Sequence, residues 1–234
     1  MSKRTGRKYK KTTPRRRKYN RPYPGGYNPV DGGRVTGMIP KVNSGFTLPK
    51  SKRVKLKYGH HVDFSNNLSA TYEWKANSAY DPDKTSIGNQ PLGFDQWASF
   101  YSKYIVHASK FKVTVSTGGA PLVCGLYPDY DGNGGSITIP HLIDKPESTY
   151  MMVAKNDGSQ SMEYYCKIQD YFGLSKPLTS QDLEYGAPTS TDPDKTAIMA
   201  FKIESLDLNL VQVNALFEIT YYVEFYEPKE LGQS

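Results

Sequence analysis

Residues 90–115, QPLGFDQWASFYSKYIVHASKFKVTV, decide the fold because the spacing of their apolar side chains changes part-way along. After the helix breakers Pro91 and Gly93, one face of a predicted helix is formed by Phe94, Trp97, Ala98, Tyr101 and Tyr104. Asp95 lies in the first predicted turn, where a negative charge suits the helix dipole. The first half of the stretch therefore predicts a short aromatic helix.

The second half of the stretch has the two-residue period of a strand. Apolar and polar residues alternate in the order Lys110, Phe111, Lys112, Val113, Thr114 and Val115. His107 falls in this predicted strand and is interpreted as a core or interface residue. The pattern predicts a helix that runs directly into a long strand with one solvent-exposed face.

Seven other runs alternate in the same way. They cover residues 54–64, 72–76, 122–127, 149–154, 162–168, 197–203 and 215–225. No helical period of a dozen residues or more accompanies them, and the loops between them are rich in Gly and Pro. The sequence therefore predicts an all-β protein, a single eight-stranded antiparallel jelly roll of the β-sandwich class. Its predicted core includes Trp74, Phe94, Trp97, Tyr101, Phe111, Phe217, Tyr221 and Phe225.

Charge divides the 234-residue chain into two parts. Residues 1–57 contain 18 Lys or Arg and one acid, Asp31, whereas the whole chain has 30 basic and 23 acidic residues. Residues 58–234 therefore keep 12 basic and 22 acidic residues, a net charge of −10. We expect a basic arm and linker over residues 1–50, disordered without a polyanion, a jelly-roll domain over 51–228 and a tail over 229–234.

The basic arm has the composition of a segment that binds single-stranded nucleic acid. Lysine and arginine neutralise phosphates without reading sequence, and tyrosine rings stack on unpaired bases. The predicted DNA-binding residues are Lys3, Arg4, Arg7, Lys8, Tyr9, Lys10, Lys11, Arg15, Arg16, Arg17, Lys18, Tyr19, Arg21, Lys52, Arg53, Lys55 and Lys57. The cluster of Arg15, Arg16, Arg17 and Lys18 also fits a nuclear import signal. A solvated tail, or an import signal alone, is the alternative for the arm, and an ordinary solvated strand face is the alternative for Arg53, Lys55 and Lys57.

Catalytic, metal and cofactor motifs are not found in the sequence. Asp129, Asp131 and Asn133 match the start of a calcium loop, but Pro140 occupies the position that requires Glu, so a turn is favoured over weak calcium binding. The chain has no phosphate-binding loop and no nucleophile motif, which predicts a protein that is not an enzyme and needs no cofactor. Cys124 and Cys166 are predicted to be free, buried thiols, and no apolar run is long enough for membrane insertion.

Several motifs together resemble those of one viral family. They are the tetrapeptide KLKY at residues 55–58, the strand at 72–76, AYDPD at 79–83, QPLGFDQWASFYSKY at 90–104, the strand at 110–115 and ITYYVEFYEP at 219–228. In this order they resemble the capsid proteins of circular, Rep-encoding single-stranded DNA (CRESS-DNA, circovirus-like) viruses. The resemblance covers roughly residues 50–228, although residues 128–190 match by strand pattern only.

The resemblance implies a jelly-roll capsid protein with a basic arm. Such a protein forms a homo-oligomer, a T=1 icosahedral shell of about sixty copies, around a single-stranded DNA genome. Its implied locations are the virion and, during assembly, the host nucleus, and its implied further partners are the host nuclear import machinery and a host surface receptor. A cellular nucleic-acid-binding protein with a basic tail, of ribosomal or chromatin type, would explain the arm equally well. A carbohydrate-binding jelly roll is a third alternative, but it leaves the arm unexplained.

Overall fold

The computed structural model describes residues 48–85, 88–132, 137–155 and 158–230, which contain nine strands and three short helices. The elements in chain order are β1 (Ser51–Asp63), β2 (Ser69–Lys75), α1 (Phe94–Phe100), β3 (Tyr101–Thr117), β4 (Leu122–Asp129), α2 (Ile139–Asp144), β5 (Thr149–Val153), β6 (Ser159–Lys167), α3 (Ile168–Tyr171), β7 (Gly186–Pro188), β8 (Ile198–Ser205) and β9 (Val213–Pro228). The described helices are all too short and too polar to cross a membrane.

Two antiparallel sheets form a sandwich. The first sheet has the order β1-β9-β3-β6, with β7 also pairing with β3, and the second has the order β2-β8-β4-β5. Chain connections cross repeatedly from one sheet to the other, and the first strand pairs with the last. This is the strand order of a jelly roll, so the predicted fold class is confirmed. All eight predicted strands are present. Strand β7 was not predicted, because its three residues are too few to show an alternating pattern.

The space between the sheets is filled by aromatic rings. Trp74 of β2 packs on Phe217 of β9 with ring centroids 4.1 Å apart, and Phe217 also contacts Phe201 of β8. The predicted core residues that the structure buries almost completely are Trp74, Phe94, Tyr101, Phe111, Phe217, Tyr221 and Phe225. Trp97 is only partly buried, because α1 lies at one end of the sandwich and its Trp97 ring stacks on Phe225 there. Burial of this much aromatic surface is the main source of stability of the sandwich.

Helix α1 ends earlier than its sequence pattern predicts. The apolar spacing extends to Tyr104, but the helix stops at Phe100, and Tyr101 begins β3 in an extended conformation. Tyr101 and Tyr104 lie opposite Pro228 and Phe225 of β9. Because these two tyrosines gain backbone pairing as well as burial in the strand, the long-range ladder overrides the local helical period.

Helices α2 and α3 were not predicted. Ile168, predicted as the last inward residue of a strand, is the first residue of α3 and remains fully buried. Helix α2 lies on the outer face of the second sheet, where Leu142 contacts Tyr127 and Ala200. Helix α2 has six residues and α3 has four, which is too short to give a recognisable helical period in the sequence.

Candidate nucleic-acid interface

The outer face of β1 carries a row of exposed cations at the edge of the first sheet. Arg53, Lys55 and Lys57 point to solvent, while Leu56 and Tyr58, which alternate with the two lysines, are buried in the core. We call the row Arg53, Lys55 and Lys57 the basic face. Side chains alternate along a strand, so burial of one side of β1 in the core places the three cations on the opposite, solvent-exposed side. Within the described residues, Lys55 and Lys57 form no ion pair with a carboxylate.

Tyrosine rings lie beside the basic face. Tyr222 of β9 is opposite Lys55 in the ladder, and the Lys55 ammonium lies 5.2 Å from the centre of the Tyr222 ring. Tyr165 of β6 meets Tyr222 edge to face, with ring centroids 6.0 Å apart. Aromatic rings flanked by cations are the surface on which single-stranded nucleic acids stack. A pocket of about 310 Å³ is formed here by Arg53, Val54, Lys55, His107, Tyr222 and Val223.

One carboxylate, that of Glu224, lies at this pocket and is held by its neighbours. Arg53 Nε lies 2.8 Å and His107 Nε2 lies 2.9 Å from Glu224 Oε2. Burial works to raise the pKa of Glu224, but hydrogen bonds from Ser51, His107 and Arg53 outweigh it and lower the pKa. The ionised carboxylate therefore holds Arg53 and His107 in place, and the Arg53 guanidinium balances its charge.

Ion pairs continue across the rest of the first sheet. Lys110 of β3 pairs with Glu163 of β6 at 2.8 Å, and Lys112 pairs with Glu218 of β9 at 3.2 Å. All four side chains are substantially exposed, so each pair contributes little to stability and is screened by salt. Within the described part of the first sheet, the exposed lysines without a carboxylate partner are thus those of β1.

The predicted DNA-binding residues divide into two groups. Lys3 to Arg21, with the import cluster among them, lie outside the described residues. Lys52 is exposed at the start of β1, directly before Arg53 in the chain. Tyr222, Tyr165 and His107 were not predicted to take part. The alternation of residues 215–225 already placed Tyr222 on the outer face, but its neighbours on β1 and β6 follow only from the sheet order.

The calcium candidate is described in part. Asp129 ends β4 and is buried, Asp131 follows in an exposed turn, and Asn133 lies outside the described residues. The Tyr171 hydroxyl donates to the Asp129 carbonyl at 2.7 Å. The described ranges contain no group of three or more His, Cys, Asp or Glu side chains suited to a metal ion.

Cys124 and Cys166 are free and buried, and burial raises the pKa of each thiol to about 12.

A buried ion cluster joins two copies of a repeated pentapeptide. The letters DPDKT occur at residues 81–85 and again at 192–196. The ammonium of Lys75 lies 2.9 Å from Asp81 and 2.8 Å from Asp192, the first residue of each copy. Burial works to lower the pKa of Lys75, but the hydrogen bonds to Asp192 and Asp81 raise it. The cluster ties both loops to the end of β2, so we interpret it as structural.

Comparison with known proteins finds matches among solved structures. No family model and no curated protein matches the sequence. Desmodium yellow mottle tymovirus matches at 8% identity over 84% of this chain and 99% of that chain, with a TM-score of 0.44. The 60-mer BFDV capsid protein matches at 10% identity over 81% and 100%, with a TM-score of 0.45. Mud crab tombus-like virus matches at 11% identity over 88% and 96%, with a TM-score of 0.42. Because one fold serves many functions, function has to be argued from the residues of this chain.

Proposed function

We propose that this chain is a viral capsid protein. In this proposal its jelly-roll bodies form a T=1 icosahedral shell of about sixty copies, and its arms neutralise a circular single-stranded DNA genome. The observation that carries the proposal is the continuity of positive charge. The basic residues of positions 1–50 are followed directly by Lys52 and by the basic face on β1.

The amount of charge fits packaging better than binding at a single site. Residues 1–57 carry 18 basic residues and one acidic residue, a net charge of +17. About sixty copies would supply on the order of 1000 positive charges, each able to neutralise one phosphate. A genome that encodes this protein and a replicase carries on the order of 2000 phosphates. The arms would therefore neutralise a large fraction of the genome.

The chemistry of the β1 edge favours an unpaired strand. Lys55 and Arg53 can contact phosphates, while Tyr222 and Tyr165 offer rings to bases that are free to unstack. A duplex keeps its bases stacked on one another and would use only the cations. In this proposal, Arg15 to Lys18 bring the protein into the host nucleus, where the genome is packaged.

Electron microscopy of the purified full-length protein tests the proposal. The protein is mixed with circular single-stranded DNA, and with duplex DNA or RNA as matched controls. We expect uniform closed particles, with single-stranded DNA protected from nuclease. Monomers that bind RNA under every assembly condition would instead support the cellular nucleic-acid-binding alternative.

A salt titration separates the two roles of the chain. Contacts between arms and phosphates weaken steeply with salt, whereas apolar contacts between bodies do not. We expect nuclease sensitivity of the packaged DNA to appear at a lower salt concentration than the loss of particles by light scattering. Simultaneous loss of both signals across the whole titration would contradict this division of roles.

A further inference from the structure

Four leucines are exposed at the end of the sandwich where β1 finishes. Leu68 lies between β1 and β2, and the other three lie in the loop between β8 and β9. Their exposed fractions are 47% for Leu68, 48% for Leu206, 82% for Leu208 and 57% for Leu210. Scattered exposed leucines are ordinary, but a group at one end of a domain is typical of an interaction site.

The loop that carries these leucines is held in place. The backbone N–H of Leu206 donates to the Pro121 carbonyl, and the Val211 N–H donates to the Asn67 carbonyl. Asp207 Oδ1 accepts hydrogen bonds from the Ser205 hydroxyl and the Asn209 N–H. Leu208 has a φ of 59°, in the left-handed region that a branched apolar residue seldom adopts. The strained, hydrogen-bonded turn therefore holds the Leu208 side chain in solvent.

A groove beside these leucines has a buried cation in its wall. We call it the leucine groove; its volume is about 360 Å³, and it is lined by Leu68, Ser69, Ile137, Thr138, Lys202, Glu204, Ser205 and Leu208. The Lys202 side chain is only 5% exposed, and its ammonium donates to Ser69 Oγ at 3.0 Å. The nearest carboxylate, on Glu204, is 3.9 Å away and is itself partly exposed.

Among the residues that the structure describes, only Glu204 lies close enough to compensate the charge of Lys202, and it does so weakly. Burial lowers the pKa of Lys202, and the attraction of Glu204 only partly opposes that effect. Lys75, the other buried lysine, differs because it has two close aspartates and a raised pKa. A further carboxylate beside the apolar rim of the leucine groove would therefore stabilise the charge of Lys202.

We propose that a second copy of this chain occupies the leucine groove, placing an apolar segment against Leu68 and Leu208 and a carboxylate against Lys202. A copy of the chain suits the site because residues 58–234 carry 22 acidic residues and a net charge of −10. Nucleic acid also brings anions, but leucines flank the single lysine here and offer phosphates no second cation. This inference rests on the proposed capsid function, because it names one of the contacts that would join the bodies.

Cross-linking through an introduced cysteine tests the contact. Leu208→Cys is compared with Leu92→Cys, whose parent side chain is 90% exposed at the opposite end, just before α1. The native thiols of Cys124 and Cys166 are buried, so only the new thiol reacts with a maleimide that carries a photoreactive diazirine. On illumination the diazirine bonds to whichever chain lies against the labelled residue. In assembled particles we expect Leu208→Cys to give covalent oligomers at least about tenfold more than Leu92→Cys. Equal yields, or only monomers from Leu208→Cys, would overturn the proposal.

Lys202→Met tests the carboxylate contact and separates this inference from the capsid proposal. We expect its critical concentration for assembly to rise about tenfold, the effect of losing one ion pair between bodies. Its thermal unfolding temperature should not fall below the wild-type value, because the buried charge is removed, and its affinity for a single-stranded oligonucleotide should be unchanged. Unchanged assembly of Lys202→Met would overturn the role of the groove and leave the capsid proposal standing. Failure of the wild-type chain to form particles would overturn the capsid proposal itself.

Discussion

The outer faces of the two sheets are built from the same strand pattern but have opposite surroundings. The face of the first sheet is open and carries Lys55, Lys57 and Tyr222. The face of the second sheet carries Gly125 and Ala200, and α2 lies on top of them. Small residues on an outer face leave room for a covering segment, whereas long charged residues keep a face in solvent. Within the described residues, the outer face of the first sheet is therefore exposed to solvent, whereas that of the second sheet forms a second small core.

Removing the covering side chain is expected to have the largest effect. Leu142→Ala deletes the fully buried leucine between α2 and the second sheet and should cost about 2–4 kcal/mol of unfolding free energy. Leu216→Ala, on the open face where the leucine is 49% exposed, should change it by less than about 0.5 kcal/mol. Urea denaturation of the unassembled protein measures both. Similar losses of unfolding free energy for the two variants would mean that the outer faces of the two sheets do not differ in burial.

A methyl group added to each face gives the next largest contrast. A Cβ at Gly125 would lie 2.7 Å from Leu142 Cδ2, so Gly125→Ala should destabilise the protein by about 1–3 kcal/mol. A Cβ at Gly59 of β1 meets no atom within 4 Å, and Gly59→Ala should be neutral or slightly stabilising. Thermal denaturation of this matched pair decides whether α2 packs closely on its sheet. A tolerated Gly125→Ala would argue against that packing.

The open face should lose stability in acid. The folded-state pKa of Glu224 is lowered from 4.5 because the bonds from Ser51, His107 and Arg53 outweigh the effect of its burial. Its contribution is therefore complete above about pH 4.5 and disappears as the pH falls through the lowered pKa. Glu224→Gln should flatten this part of the stability–pH curve, measured by urea denaturation between pH 3 and 6. A curve as steep as that of the wild type would show that this carboxylate is not held as described.

The second sheet should respond at the other end of the pH scale. Burial lowers the pKa of Lys202 below 10.5, so the folded state disfavours the charged form. Stability should therefore rise as the pH increases through the lowered pKa, and the gain is complete above about pH 10.5. Lys202→Met should abolish this rise in alkaline denaturation curves. If the stability of Lys202→Met still rose with pH, the rise would come from a different titratable side chain.

Substitutions on the basic face should have the smallest effect on stability, so their effect is measured as binding of a single-stranded oligonucleotide. Lys55→Gln should leave unfolding unchanged and reduce the slope of log affinity against log salt by about 0.7 for a single-stranded oligonucleotide. Lys195→Gln is the control, because Lys195 is also exposed but is paired with Glu184, and both lie in the loops on either side of β7, not on the basic face. Fluorescence anisotropy across a salt series gives both slopes. An equal change for Lys195→Gln would make the basic face no different from other surface lysines.

Most of the strand pattern was predictable because burial on one side leaves a period of two in the sequence. The alternation of β1 correctly assigned Leu56 and Tyr58 to the core and Lys55 to the surface. The C-terminal end of α1 was predicted wrongly, since Tyr104 fits either period and only its pairing partner Phe225, over 100 residues away, decides between them.

The site was predictable only in its charges. Arg53, Lys55 and Lys57 follow from β1 alone, but Tyr222 and Tyr165 become their neighbours through the order β1-β9-β3-β6. The bonds from Arg53 and His107 to Glu224 likewise join three strands that are remote in sequence. Local patterns do not contain such information, because it depends on which strands pair.

By itself, the sequence determined the class of fold, the separation of a basic segment from an acidic body, and which side of each long strand faces the core. These depend on composition and on the two-residue period, which are local properties. Only the tertiary structure decided that α2 covers the second sheet, that Lys75 joins two distant copies of DPDKT, and that Lys202 lies beside exposed leucines. Each of these arrangements includes residues far apart in the chain, such as Lys75 with Asp192 and Lys202 with Leu68, so it forms only after the sheets have assembled.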